Sequence, residues 1–258
     1  MNILFIVDED KLFHPQMLNS IHDLGLHKSF KIGIIKKLNP KNNVKIYLFK
    51  NIYNLKLKEI VILVYRTIKF NFLNFIFPSG LNNKKFFSIE SFAKKKKIEY
   101  FYISDDINKK KYLNKFKEFN LDIIFISCSQ YLKDEIINLP KITCINRHNS
   151  ILPKYKGLMP VFHAIANNEK YFGLTLHKVT NKYDEGEILS QKIIQIESKN
   201  LFTIYEKLFN LTSILFLEAM KNISNKKSFI KTQNNNSYYS FPTNSDWKKF
   251  RLNGGRFL

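Results

Sequence analysis

The run Lys141-Ile142-Thr143-Cys144-Ile145-Asn146-Arg147-His148-Asn149-Ser150 starts apolar and β-branched and ends polar. That is the pattern of a buried strand delivering side chains at its carboxyl edge. In an open α/β sheet, ligands sit beyond that edge. Asn146 and His148 are two residues apart, so on a strand they share a face, and Arg147 takes the opposite one. Pro153 and Gly157 then break regular structure and make Ile151 to Gly157 a loop rather than a helix. Farther on, Tyr183-Asp184-Glu185-Gly186-Glu187-Ile188-Leu189 offers an acidic cluster, a glycine turn and another strand.

An amide, an imidazole and a carboxylate suffice for one class of reaction. A histidine can polarise or protonate an oxygen, and an asparagine can donate to a developing oxyanion. An aspartate can orient the imidazole or take a proton from an amine. Together these describe acyl transfer to an amine without a covalent enzyme intermediate. Each residue alone also has an ordinary reading: the histidine as a packing residue, the aspartate as part of a turn.

Outward from this stretch the chain alternates strands and helices. Asn2–Val7 reads as a first parallel strand, apolar throughout because both faces are covered. Asp8-Glu9-Asp10 follows it, with no Gly-x-Gly-x-x-Gly or Gly-Lys-Ser/Thr phosphate loop. A helix is expected from His14 to about Leu24, then strands at Phe30–Ile35, Glu99–Ile103 and Asp122–Cys128. The stretch from Asn42 to Phe77 reads as helical, with Phe70, Phe72, Phe75 and Phe77 expected in the core. Helices are expected from Ser88 or Glu90 to Lys97, from Asp106 to Phe119, from Leu132 to Leu139 and from Val161 to Ala166. Strands at Gly173–Val179 and Glu187–Ile196 lead to an amphipathic helix at Phe202–Met220. The tail reads as a hairpin, Ser228–Lys231 against Ser237–Phe241, or as a folded-back segment. Its Trp247, Phe250 and Phe257 call for packing. The fold expected is α/β: a doubly wound, mostly parallel, Rossmann-like sheet. The catalytic unit would span residues 1–197, with a small helix-plus-hairpin appendage over 198–258.

Asn146-Arg147-His148-Asn149-Ser150-Ile151-Leu152-Pro153-Lys154-Tyr155-Lys156-Gly157 resembles the Asn-x-His-x-Ser-Leu-Leu-Pro-x-x-x-Gly signature of folate-dependent formyltransferases. Gly173-Leu174-Thr175-Leu176-His177 is similar to that family's Gly-(Val/Thr)-Thr-(Val/Ile)-His strand. Asp184-Glu185-Gly186-Glu187-Ile188-Leu189 is similar to its Asp-x-Gly-x-(Ile/Val)-(Leu/Ile) segment. The blocks come in the family's order. Arg147 and Asn149 depart from it: most members have a small or apolar residue at the first place and proline at the second.

The resemblance implies formyl transfer from 10-formyltetrahydrofolate to a primary amine, with Asn146, His148 and Asp184 as the catalytic set and no metal. It implies folate contacts at Gln130, Tyr131 and Leu132 and in the loop of Thr180, Asn181 and Tyr183. Ser150, Lys154 and Tyr155 would shape the acceptor side. Arg147 could reach a substrate phosphate or pair with an acidic neighbour. His163 and His177, which lack metal-like spacing, are taken as structural.

Among acceptors, the resemblance is best to formyltransferases of nucleotide-linked amino sugars, a dTDP or UDP sugar. Methionyl-tRNA formyltransferases carry a sizeable C-terminal barrel, whereas about 60 residues follow the catalytic region here. Glycinamide ribonucleotide formyltransferases have a Gly/Ser-rich loop where Asp8-Glu9-Asp10 stands. A formyltetrahydrofolate hydrolase and a folate- or RNA-binding module are the readings from other classes.

Composition sets the outer bounds. The 258 residues are 45% hydrophobic, enough for a sizeable core. Lys+Arg 42 against Asp+Glu 21 gives a net charge of +21. Such a balance suits anionic partners, but in a chain saturated with Lys, Asn, Ile and Phe it arises without a designed patch, so no nucleic-acid partner is expected. Two cysteines in apolar runs fit a reducing cytoplasm rather than a disulfide scaffold. The apolar stretch from Glu59 to Phe77 contains Arg66 and Lys69, so no membrane span is expected. A homodimer contact through the C-terminal tail is left open.

Overall fold

Alternate residues of the first strand, β1 (Asn2–Asp8), feed two different cores, which is why the strand reads as continuously apolar. Ile3, Phe5 and Val7 join one cluster, and Leu4 and Ile6 the other. The computed structural model describes residues 1–36, 44–82, 85–225 and 238–258. After β1 come α1 (His14–His22), with Pro15 in its first turn, and β2 (Ser29–Ile35). Then follow α2 (Val44–Lys50), α3 (Leu57–Ile76) and α4 (Ile89–Lys95). The Ser88 hydroxyl caps α4 by accepting from the Ser91 amide.

The chain continues through β3 (Glu99–Ile103), α5 (Lys110–Glu118), β4 (Ile123–Ser127), α6 (Asp134–Ile137) and β5 (Thr143–His148). Next are β6 (Lys156–Gly157), α7 (Pro160–Ala166), β7 (Tyr171–Lys178) and β8 (Ile188–Gln195). The last elements are α8 (Leu201–Ser224), β9 (Tyr238–Tyr239) and α9 (Asn244–Leu252).

Seven strands form one sheet in the order β3-β2-β1-β4-β5-β7-β8. The pairs among β3, β2, β1, β4 and β5 are parallel, while β5–β7 and β7–β8 are antiparallel. This is the doubly wound, mostly parallel sheet expected. Its order reverses between β1 and β4, so the crevice that such sheets use opens beyond the carboxyl ends of β1, β4 and β5. Helix α8 lies on the core side of Phe5, where Phe216 meets Phe125 with ring centroids 5.6 Å apart. Burying each such ring contributes about 1.5–3 kcal/mol. On the other face α5 and α6 cover Leu4, Ile6, Ile124 and Ile126 with Phe116 and Ile136.

The tail packs, as its aromatic content demands. Trp247 and Phe250 are buried, and Phe250 stacks on Phe162 of α7 at 4.3 Å. The first arm of the expected hairpin, Ser228–Lys231, lies outside the described residues. In its second arm, β9 pairs in parallel with β6. A buried carboxylate joins the tail to α3: Glu59 accepts from both Arg251 guanidinium nitrogens at 2.8 and 2.6 Å and from the amides of Lys56 and Phe257. Burial works to raise the pKa of Glu59, and these donors more than offset it, leaving the carboxyl below its usual range.

One expectation fails on α3. Phe72 and Phe75 are exposed rather than core residues, because the opposite side of the helix faces the protein. Among the described residues no helix is long and apolar enough to cross a membrane.

Candidate active site

The carboxyl end of β5 presents Asn146 and His148 on one face, as a period of two requires. The strand beside it, β7, runs antiparallel and sets His177 directly opposite Asn146. Asp184 arrives from the loop before β8, held at a positive φ of 52° that an aspartate tolerates. Gly186 is needed there: a Cβ at that position would sit 1.7 Å from the Lys178 carbonyl oxygen. This close approach brings the Asp184 carboxylate under the strand ends.

The four side chains meet in one buried cluster. The Asn146 amide nitrogen Nδ2 is 3.3 Å from Asp184 Oδ1 and 3.1 Å from His177 Nε2. His148 Nδ1 and His177 Nε2 each lie 3.5 Å from Asp184 Oδ1. Asp184 Oδ2 accepts from the Gly157 amide at 2.8 Å. His148 Nε2 donates to the Tyr155 carbonyl at 2.9 Å, and His177 Nδ1 to the Lys178 carbonyl at 2.8 Å. With Nδ1 so engaged, a neutral His177 ring offers Nε2 as an acceptor for the Asn146 amide. Both amide hydrogens of Asn146 therefore have acceptors within the cluster. The reverse amide orientation would point its oxygen at a carboxylate, so the hydrogen bonding settles it.

The electrostatics follow from burial and these partners. Burial alone would raise the pKa of Asp184; His148, His177 and the Gly157 amide more than offset it and hold the carboxyl well below its usual range. For His148 burial dominates and lowers the pKa, against the upward pull of Asp184 and the Tyr155 carbonyl. A carboxylate thus stands beside a histidine that stays neutral near pH 7, the combination that acid–base chemistry at an amine requires.

His177 was read from sequence as a structural residue; the structure places it inside the cluster. The available signal was its position in the Gly173–His177 block, but cross-strand register is invisible until the pairing is known. His163 does keep a structural place, with Nε2 on the Ser240 carbonyl at 3.0 Å.

The loop from Ile151 to Gly157 is tied down by its own polar groups. The Ser150 hydroxyl donates to the Lys154 carbonyl at 2.8 Å, and Thr175 donates to the Ser150 carbonyl at 2.6 Å. The Tyr155 hydroxyl donates to Glu169 at 3.0 Å, and burial pushes that phenol's pKa up. Ser150, Lys154 and Tyr155 line a cavity of about 240 Å³ on the side of the loop that also holds Glu169 and Phe172. Lys156, absent from the sequence-based site, is buried and bonds Glu185 at 3.0 Å, joining this loop to that of Asp184. Arg147 is separated from the cluster. It lies buried on the far face of β5, with Nε donating to Thr212 at 2.8 Å and its guanidinium 3.7 Å over the Phe209 ring. Burial lowers its pKa to about 9. Among the described residues no acidic side chain pairs with it.

Beside Asp184 opens a cleft of about 550 Å³, lined by Ile137, Cys144, Val179, Thr180 and Gly186 among others. Its lining is mixed, with Ile137, Cys144 and Val179 beside Asn138, Lys178, Glu185 and Glu187, so it offers both apolar contact and hydrogen-bonding groups. Of the residues expected to contact folate, Thr180 lines this cleft. Tyr131 reaches over to the Asn181 carbonyl at 3.1 Å, with its ring 5.3 Å from that of Tyr183. Leu132 sits in the second core. The Gln130 side chain braces the 105–107 turn, accepting from the Ile107 amide at 2.8 Å and donating to the Asp105 carbonyl at 3.0 Å. A third group stands at the ends of β1 and β4. Ser129 donates to Asp8 at 3.2 Å, and His14 bridges Ser127 at 3.0 Å and Asp10 at 3.3 Å. Burial pushes the Asp8 carboxyl up to about 6.

Comparison with known proteins supplies an independent measure. The profile described as formyl transferase matches residues 78–220. Methionyl-tRNA formyltransferase from Ehrlichia ruminantium (strain Gardel) is 33% identical over 127 residues, 48% of this chain and 42% of that one. The bifunctional polymyxin resistance protein ArnA of Wigglesworthia glossinidia brevipalpis is 39% identical over 125 residues, 48% of this chain and 19% of that one. The chain thus spans less than half the length of these curated relatives. Among solved structures, an N-formyltransferase from Helicobacter canadensis in complex with folinic acid and dTDP-3-aminofucose superimposes with a TM-score of 0.57. It is 18% identical, and the match covers 97% of this chain and 79% of that one. WlaRD, a sugar 3N-formyl transferase in the presence of dTDP and 5-N-formyl-THF, gives a TM-score of 0.57 at 19% identity over 93% of this chain and 70% of that one.

Proposed function

The chain belongs to the formyl transferase family, and from that premise we propose that it transfers a formyl group from 10-formyltetrahydrofolate to the amino group of a nucleotide-linked sugar. The observation that carries this reading is the buried cluster of Asn146, His148 and Asp184 at the sheet edge, beside a cleft of the right size for a pterin. The reduced pterin would lie against Ile137, Cys144 and Val179, with Thr180 at its rim and Tyr131 and Tyr183 closing the loop above.

In this mechanism the amine nitrogen attacks the formyl carbon and negative charge grows on the formyl oxygen. Asn146 answers it by giving up the longer of its two contacts, the 3.3 Å one to Asp184, and turning that hydrogen to the oxygen. His148, with its Nε2–H held by the Tyr155 carbonyl, presents an unprotonated Nδ1 on the Asp184 side and becomes a second donor only once a proton reaches that nitrogen. Asp184 takes the proton that leaves the amine, directly or through water, and steadies the imidazole meanwhile. Collapse breaks the bond to the folate nitrogen, which receives the proton that Asp184 took from the amine, so that the carboxylate is restored. Tyr155, Ser150 and Lys154 form the acceptor side of the loop in this reading.

Net charge of +21 suits an anionic nucleotide acceptor. Solved structures of a sugar N-formyltransferase and of a phosphoribosylglycinamide formyltransferase match the fold equally well, each with a TM-score of 0.57, and it is Asp8-Glu9-Asp10 in place of a Gly/Ser-rich phosphate loop that favours a sugar. A second reading, transfer to charged initiator tRNA, is supported by the names of the curated relatives and by the same charge. The test is to incubate the protein with 10-formyltetrahydrofolate and, separately, dTDP-amino sugars, UDP-amino sugars and charged initiator tRNA, and to look for formylated product by mass spectrometry. A formylated nucleotide sugar is the expected result. Product on tRNA alone selects the second reading, and formate with no formylated acceptor overturns both.

A further inference from the structure

Helix α3 is anchored on one side only. Glu59 holds it to Arg251, and the Arg66 guanidinium lies 3.7 Å over the Phe202 ring. The other side carries Leu57, Val61, Tyr65, Ile68, Phe72 and Ile76, between 46% and 77% exposed. At 3.6 residues per turn these six fall in one stripe about 100° wide. Phe75, at 83%, falls inside it, and Val64, at 52%, widens it by about 20°. With ordinary side-chain areas the stripe presents roughly 900 Å² of exposed surface. That exceeds the few hundred Å² usual for a monomer's apolar patches and matches the roughly 800 Å² each partner contributes to a standard interface.

The spacing says what fits it. The steps between the six residues are 4, 4, 3, 4 and 4, the same from either end. Two such helices run antiparallel about a twofold axis midway between Arg66 and Thr67 set Leu57 level with Ile76 of the other copy. They likewise set Val61 level with Phe72, and Tyr65 with Ile68. Twofold interfaces must be self-complementary in this way; here Val61 meets Phe72 and Ile68 meets Tyr65, a smaller side chain against a larger one, and Leu57 meets Ile76 of equal size. No lysine stands level with a lysine: Lys58 is level with Phe75 of the other copy, and Lys69 with Val64.

We propose that α3 is a homodimer interface, with two copies of the chain packing this helix antiparallel through the palindromic stripe. The occupant is a second copy rather than a lipid surface, because the helix carries just two exposed lysines, Lys58 and Lys69, too few for a basic face. The contact is independent of the reading of the active site.

Sedimentation equilibrium on the whole protein tests it. A dimer is expected, with Val61→Asp and Phe72→Asp each weakening association at least tenfold while circular dichroism stays unchanged, since both positions are solvent-exposed. Under mild oxidation Val61→Cys/Phe72→Cys should give a covalent dimer that neither single substitution gives. Unsubstituted protein controls for Cys128 and Cys144. A monomer at the highest workable concentration overturns the proposal. So does a dimer unmoved by both aspartates, cross-linking by Phe72→Cys alone, or a monomer that binds phosphatidylserine vesicles through the stripe.

Discussion

Asn146 and His177 face each other across the antiparallel β5–β7 pair, the amide nitrogen of one 3.1 Å from Nε2 of the other. His177 thereby decides which way the Asn146 amide points, and so whether a hydrogen is directed toward the place where charge develops.

Replacing His177 by phenylalanine should leave a folded protein whose formyl transfer is slower by about tenfold or more. His177→Gln, whose amide oxygen can accept in place of Nε2, should recover most of the rate. Steady-state kinetics should show the loss in kcat rather than KM. A phenylalanine variant with unchanged kcat would remove His177 from a positioning role.

The carboxylate of Asp184 supports the proton affinity of His148 from 3.5 Å. Asp184→Asn should slow transfer by at least about 100-fold, a usual acid–base contribution. It should also lower the already depressed pKa of His148 further, since burial then acts unopposed by that charge. An NMR titration of the His148 ring in both proteins checks the sign; an upward shift would contradict the pairing.

Asp8 is held up to about 6 by burial, above the usual 3.8. The fold therefore favours its neutral form. Ionising it costs stability progressively as pH rises from about 4, and the cost is complete above about 6. Asp8→Asn should raise the melting temperature at pH 8, by up to about 3 kcal/mol of stability. The gain should shrink through pH 6 and be gone near pH 4. A gain independent of pH would point to packing instead.

Arg251 donates to a carboxylate that has almost no exposure, so Arg251→Ala should cost about 3–5 kcal/mol by leaving that charge buried and unpaired. Glu59→Gln added to it should recover part of the loss. Because the native Glu59 pKa is depressed, its contribution is present above its ordinary pKa and fades as pH falls below it. Thermal melts of the three variants at pH 7 and pH 4 measure both effects.

The strands were legible from sequence because buried parallel strands are continuous apolar runs; Glu99–Ile103 matches to the residue. Asn146 and His148 were legible because a period of two needs no partner strand, and the same alternation put Arg147 on the other face. What could not be read depended on pairing between distant elements. His177 joins the cluster only through its register against β5. Phe72 and Phe75 read as core because hydrophobicity carries no record of which side of a helix the protein occupies. The grip of Arg251 on Glu59 spans 192 positions, beyond any local pattern.

That separation has a consequence for how the molecule is made. Helix α3 leaves the ribosome well before its anchor, because Arg251 is added 192 positions after Glu59. At about 5–20 residues per second the delay is roughly 10–40 s. Throughout it, the nascent chain carries the apolar stripe of α3 without the Glu59–Arg251 tie, which forms only once both segments are made.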